Sequence, residues 1–383
     1  MNNQINSSID FNEKYSFNAV NLTSNDKITK VNKLNKKKLF MILICIFVVF
    51  YVFQMFYVIY LLKNIEKKTN KFEENSIKNS NIKNTNDNIF QPYIKAQKDF
   101  CDNPNKYMNQ KYEKEIVLYD VKLNNLKYQI YIFNSSNFLM NSLKLFGSFE
   151  KSVGNNMIEA LNFYSVKKNI LNNKDIFVLD IGGNVGWYPL LLGQYGYTIL
   201  SFEAFEKNYY VEKKNFCLHK NDSNFIVITK GLGAEEKICH YFVDKNNKGN
   251  GMVICDNKDI LNNKILANKF IKESEVEITT LNSFIPFLLN KNIALMKIDV
   301  EGHEYQVLEG GSELITKYHI PYVVLEFSPS YLKEVGSDPK KLVQFLVDNG
   351  YKINLNGFLN KNFISVEELF AKTGFQIIIK AKI

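Results

Sequence analysis

The chain has 383 residues and a net charge of +9, with 48 basic residues that are all lysine. The charge is uneven: residues 1–38 carry +4 and residues 63–115 carry +3, which leaves +2 on residues 116–383. A nearly neutral folded part without arginine has neither a basic face nor a guanidinium fork for phosphate, so nucleic acid is not expected as a partner.

Residues 1–38 are polar, rich in Asn, Ser and Lys and without a sustained period, and read as a disordered tail. Residues 39–62, "LFMILICIFVVFYVFQMFYVIYLL", contain no charge and one clearly polar side chain, Gln54. As a helix this run reaches about 36 Å, enough to cross a bilayer core with some tilt. It is too long for a signal-peptide core and no small-residue cleavage site follows it. The reading is a single transmembrane helix with the lipid bilayer as a partner. Lys36, Lys37 and Lys38 tip the orientation toward a cytoplasmic N-terminus, with the large C-terminal part in the secretory lumen. Of the five cysteines, Cys45 lies in this run; Cys101, Cys217, Cys239 and Cys255 are either two disulfides or four buried thiols.

Residues 63–112 look like a low-complexity stalk. Residues 113–174 form an accessory segment: "KEIVLYDVKLNNLKYQIYIF" alternates around Asn124-Asn125 and predicts a hairpin, and a helical spacing follows over 155–167. From residue 175 to 383 short β-branched runs alternate with helical stretches, one of them over 303–317. "IFVLDI", "TILSFE", "FIVITK", "IALMKIDV" and "YVVLEFS" are continuous apolar strands, which implies an α/β fold with a mostly parallel sheet covered on both faces.

In such a sheet the ligand lies beyond the carboxyl ends of the strands. "LDIGGNVG" occupies the turn after the first of them. Its glycines do not have the i, i+2, i+5 offsets of a dinucleotide turn. They fit Asp-x-Gly-x-x-x-Gly, with Asp180 at the strand end, Gly182 and Gly186 where backbone must approach a ligand, and Asn184 between them. Asp180 can organise the turn or attract a cationic group. Glu203, at the end of the next strand, can accept both hydroxyls of a ribose. The spacing favours S-adenosylmethionine (SAM) over a nicotinamide dinucleotide. Trp187 and Tyr188, at a helix start inside a hydrophobic run, read as core.

Together "VLDIGGNVG", "SFEAFEKN", "LNSFI", "LMKIDVEGHEYQVLEGG" and "VVLEFS" resemble, in order and spacing, the FkbM-type SAM-dependent methyltransferases, over residues 175–328. The resemblance implies a class I methyltransferase (Rossmann-like) fold with a seven-stranded sheet and O-methylation, often of sugar or polyketide hydroxyls. Two positions depart from the family's habit: Ala204 stands where proline is usual and Gly183 where alanine is common.

In "MKIDVEGHE", Lys297, Asp299 and Glu301 alternate onto one side of a strand before Gly302 allows a turn. Methyl transfer to a hydroxyl needs the reactants positioned and a proton removed. Asp299 is the first choice for that base or for cofactor positioning alone, with Glu301 and His303 beside it. Lys297 can pair with Asp299 or Glu301. Asp299, Glu301, His303 and Glu326 also allow a divalent cation, but convergence is not legible in sequence and no metal is assigned. "NNKGNGMV", residues 246–253, reads as a loop that closes over substrate or as a plain connection. The expected protein is a membrane-anchored SAM-dependent O-methyltransferase of a glycan or small polyhydroxy compound. The alternatives are a catalytically silent binding module of the same fold and a nicotinamide-dependent enzyme.

Overall fold

The computed structural model describes residues 89–134, 138–220, 224–245, 251–255, 268–372 and 375–381. The tail over 1–38, the expected membrane span over 39–62 and residues 63–88 of the expected stalk lie outside the described residues. No helix among those described is long and apolar enough to cross a membrane. The longest, Lys151–Lys168, carries Lys151, Glu159, Lys167 and Lys168 and has a polar face. The single-pass placement with a lumenal catalytic part is therefore corrected: the structure does not show a single-pass membrane protein.

Helix α1 (Gln91–Asp102) opens the described chain, in part of the segment expected to be stalk. It is followed by strands β1 (Ile116–Leu123) and β2 (Leu126–Phe133), the antiparallel hairpin expected around Asn124, which takes φ +54° at the turn. Helices α2 (Phe138–Phe146) and α3 (Lys151–Lys168) lead to β3 (Ile176–Ile181), α4 (Trp187–Gln194), β4 (Thr198–Phe202), α5 (Glu206–Leu218) and β5 (Asn224–Ile228). Four strands come next: β6 (Gly231–Leu232), β7 (Lys237–Asp244), β8 (Gly251–Ile254) and β9 (Phe270–Thr279). The chain ends with β10 (Asn292–Ile298), α6 (Glu304–Gly310), α7 (Ser312–Tyr318), β11 (Tyr322–Phe327), α8 (Pro339–Asp348), β12 (Tyr351–Asn354) and β13 (Phe375–Ala381).

Seven strands make the central sheet, in the order β12-β13-β11-β10-β3-β4-β5. The pairs from β11 through β10, β3 and β4 to β5 are parallel, whereas β13 runs against both β11 and β12. The α/β class and strand number agree with expectation, but the sheet is not uniformly parallel. Successive strand residues point to opposite faces. Val178, Ile199, Val227 and Leu295 join the core that contains α3 and α4. Leu179, Leu200, Ile228 and Met296 join the other, with α6, α7 and α8. Burial on both faces explains why these strands are apolar runs and not alternating ones. Trp187 and Tyr188 are buried in the first core, as expected.

A second sheet, β6-β9-β7-β8, was not foreseen. Its outer positions are polar; β9 reads "FIKESEVEIT" with alternating burial over its second half, and β7 is only partly covered. Of the two cysteine alternatives, the disulfides are present: Cys239 joins Cys255 across this sheet, and Cys101 joins Cys217.

The free edge of β5 is closed from α1. The Gln97 side chain donates to the Phe225 carbonyl at 2.9 Å and accepts from the Val227 N–H at 2.8 Å, substituting for a missing strand. Cys101–Cys217 then ties α1 to α5 across 116 residues of sequence. Replacing both cysteines with serine is expected to lower the unfolding free energy by about 2–5 kcal/mol. Urea denaturation checks this, and a midpoint equal to that of the unsubstituted protein would mean that the bridge does not stabilise the fold.

Candidate active site

Strand β3 delivers its turn to the carboxyl edge of the sheet. Gly182 and Gly183 N–H groups both reach the Phe202 carbonyl, at 2.9 and 3.1 Å, so the turn folds back on β4. Gly182 has φ +82°, and a Cβ there would lie 1.9 Å from the Asp299 carbonyl oxygen. Only glycine lets the two strand ends approach this closely. Gly186 has φ +84° and begins α4.

One ammonium joins these pieces. Lys297 is buried on β10, and its Nζ donates to the Gly182 carbonyl at 2.7 Å. The same Nζ lies 3.2 Å from Asp180 and 3.4 Å from Asp299. Of the two sequence-level pairings of Lys297, the one with Asp299 forms. Burial opposes the charge, but Asp180 and Asp299 hold the ammonium well above its usual range. Asp180 is 1% exposed and burial raises its carboxyl, with Lys297 opposing. It does not line the cavity described below.

Glu203 closes the turn from the other side. Its Oε2 accepts from the Asn184 N–H at 2.7 Å and its Oε1 from the Phe205 N–H at 2.8 Å. With Asn208 as a third donor, the carboxylate keeps an acceptor position for a ligand. Burial pushes the carboxyl up to about 7, against the two backbone donors, Lys297 and Asn208.

At the end of β10, Glu301 takes φ +54° and Gly302 φ +101°, which turns the chain into α6. Glu304 is 1% exposed and staples this turn by accepting from Val300 N–H at 3.1 Å and Gly302 N–H at 3.2 Å. Burial raises it to about 7. Asp299, Glu301 and Glu326 of β11 each bring a carboxylate oxygen within 4.8 Å of the others, a spacing that a divalent cation can bridge. Burial and then the Asp299 charge raise both Glu301 and Glu326. His303 is engaged elsewhere. Its Nε2 lies 2.6 Å from the Val253 carbonyl of β8, and burial lowers its basicity.

Part of this set borders a cavity of about 890 Å³, from whose lining Lys297, Glu304 and Glu326 are absent. Gly182, Asn184, Glu203, Leu232 and Gly233 lie along one part of it; Asp299, Glu301, His303, Gln306 and Met252 along another. Gly186 and Asp180 stand outside the lining. The segment read as a loop over 246–253 ends in β8, whose residues form a wall of the cavity. Sequence reasoning missed β6, β8, Tyr241 and the loop after β5 as parts of the site; the glycine pair in "KGLG", residues 230–233, was the available signal.

Residues 180–353 match the family described as the methyltransferase FkbM domain. Over these residues the chain is similar to that family. A curated relative, Methyltransferase 1 of Beauveria bassiana (strain ARSEF 2860), is 30% identical over 146 residues, which is 36% of this chain and 58% of that protein. The chain thus spans little more than half the length of the relative. Among solved structures, magnesium protoporphyrin IX methyltransferase of Synechocystis PCC 6803 with bound SAM is 13% identical at a TM-score of 0.32, covering 65% of this chain and 86% of that one. Monomeric WbdD is 12% identical at a TM-score of 0.34, covering 64% and 45%. Likenesses at this level leave the chemistry to be argued from the site.

SAM is the cofactor of the methyltransferase domain, and the residues fit it. Gly182 and Asn184 of the turn line the cavity, and Glu203 lines it beside them with an acceptor position left for a ligand.

Two outcomes follow from this geometry. Lys297→Met leaves Asp180 and Asp299 without their cation and is expected to cost about 3–5 kcal/mol of stability, read from thermal or urea unfolding; a loss below about 1 kcal/mol would mean the ammonium is dispensable. The second concerns pH. With its folded value raised from 4.5 to about 7, Glu203 favours folding fully below about pH 4.5, and that contribution is lost as pH rises through about 7. Ribose binding has the opposite sign, because the ionised carboxylate is the better acceptor. SAM affinity, measured by calorimetry, is expected to rise as pH passes upward through about 7, and Glu203→Gln to flatten that rise.

Proposed function

We propose that the protein is a SAM-dependent O-methyltransferase acting on a hydroxyl of a glycan or small polyhydroxy compound. The observation that carries this reading is the continuity of one cavity from the glycine turn and Glu203 to the carboxylates Asp299 and Glu301. Bound SAM supplies an activated methyl group. Asp180, Gly182, Asn184, Gly186 and Glu203 shape and hold the cofactor end: Gly182, Asn184 and Glu203 from the lining, Asp180 and Gly186 from behind the turn. Asp299, held by Lys297, is a fixed acceptor that orients the substrate hydroxyl. Glu301 lines the cavity and burial raises it to about 8, so its ionised form, the one able to take the departing proton, becomes populated as pH rises toward that value. His303 keeps the β8 wall in place through the Val253 carbonyl. Vicinal hydroxyls suit such a carboxylate cluster because each oxygen accepts from one of them. In this reading residues 175–383 are the catalytic domain and residues 113–174 an accessory segment.

Incubation with labelled SAM and a panel of free sugars, polyols and released glycans tests the reaction, with mass spectrometry locating the added methyl group. Asp299→Asn is expected to lower kcat/KM by about 100-fold or more while SAM still binds. SAM binding without transfer to any hydroxyl acceptor would defeat the enzyme reading and leave a binding module.

A further inference from the structure

Beneath the cofactor turn, on the side away from the cavity, α5 buries Glu212 completely. Neither carboxylate oxygen is satisfied in strict hydrogen-bond geometry, and the adjacent buried Ser201 Oγ, likewise unsatisfied, is the hydroxyl placed to donate to Glu212. The side chain forms the floor of the turn. A Cβ on Gly183 would stand 2.9 Å from Glu212 Oε1 and 2.1 Å from Ser201 Oγ. A Cβ on Gly186 would stand 2.9 Å from Glu212 Cγ.

The charges around it do not offer a counter-ion. Asp180 faces it from β3 and Glu203 from the end of β4, both of the same sign. Lys297 reaches it from β10, but that ammonium is already divided among the Gly182 carbonyl, Asp180 and Asp299. On α5 itself, Lys213 feels the Glu212 charge without forming an ion pair with it among the described residues. Lys207 and Lys214 pair elsewhere, with Glu115 and Glu113. Asp180, Ser201 and Glu212 are all outside the cavity lining, so a ligand in the cavity does not serve them. The cation small enough to complete this group is a proton.

We propose that Glu212 is a positioning residue for the cofactor turn, acting as an uncharged carboxylic acid that packs beneath Gly183 and Gly186 and shares its proton with the oxygens of Asp180 and Ser201. Its effect on the cofactor rests on the methyltransferase reading above; its charge state does not. Burial raises the carboxyl well above its usual value, Asp180 and Glu203 add to this, and Ser201 and Lys297 oppose it. The sign follows. Glu212 costs the fold nothing below about pH 4.5, and stability is lost as pH rises toward the raised value. An ionised Glu212 would put a third negative charge beside Asp180 and Glu203 and push against the turn.

Glu212→Gln keeps the shape and a donor but cannot ionise. Thermal unfolding of the full chain without SAM, from about pH 5 to pH 9, is expected to show the two proteins together at the acid end. The unsubstituted protein should then fall progressively below the glutamine variant. In calorimetry and kinetics, Glu212→Ala should weaken SAM binding about tenfold and raise the KM for SAM by more than it lowers kcat, with Glu212→Gln restoring affinity. Parallel melting curves for the glutamine variant and its parent at every pH would overturn the proposal. So would an alanine variant that binds SAM as tightly as its parent. Failure of the parent to bind SAM at all would strike the methyltransferase reading, and the melting comparison, which needs no cofactor, would still decide Glu212.

Discussion

The buried Lys297 ammonium is the contact through which the site is assembled. An ammonium taken out of water costs several kcal/mol unless charges and dipoles replace its hydration. Here a backbone carbonyl from the turn after β3, Asp180 within β3 and Asp299 after β10 provide the replacement. Because these three groups come from two neighbouring strands, the ion can be satisfied only when both strand ends sit at one height. Gly182 permits that height, since any side chain there would collide with the Asp299 carbonyl. The charge and the missing Cβ are two halves of one constraint.

From that point outward each acid has a different neighbour and a different role. Asp180 and Asp299 share the ammonium. Glu203 is held by two backbone N–H groups, and Glu304 by two more. Glu301 and Glu326 have burial and other acids around them, which favours their neutral forms. Six carboxyls near one cavity are therefore not one acidic patch. They divide into groups that a cation or backbone dipoles meet and groups surrounded mainly by other acids.

Much of this was legible in the sequence because it is local. The hairpin around Asn124 follows from alternation, and the strands of the parallel run follow from short apolar stretches. The offsets of Asp180, Gly182 and Gly186, with Glu203 at the next strand end, pointed to the turn that borders the cavity. Glu203 is part of the cavity lining. What stayed hidden depends on partners distant in sequence. The polar segment at 91–102 becomes a helix because Gln97 meets a strand edge more than a hundred residues later. The second sheet has weak alternation, since one side is solvated and its hydrophobic clusters are small. The continuous helical pattern expected over 303–317 is in fact two helices, broken at Gly310 and Gly311.

That break has a mechanical meaning. A Cβ at Gly310 would lie 1.9 Å from the Gly233 carbonyl oxygen, so the backbone of α6 rests directly on the backbone of the loop after β5. Side chains act as cushions when two elements touch; here there is none. The helix that follows the Asp299–Glu304 turn and the loop that borders the Glu203 end of the cavity are thus in hard contact. The acceptor end and the cofactor end of the cavity are set against each other backbone to backbone, with no side chain between them whose rotamer could take up a change in spacing.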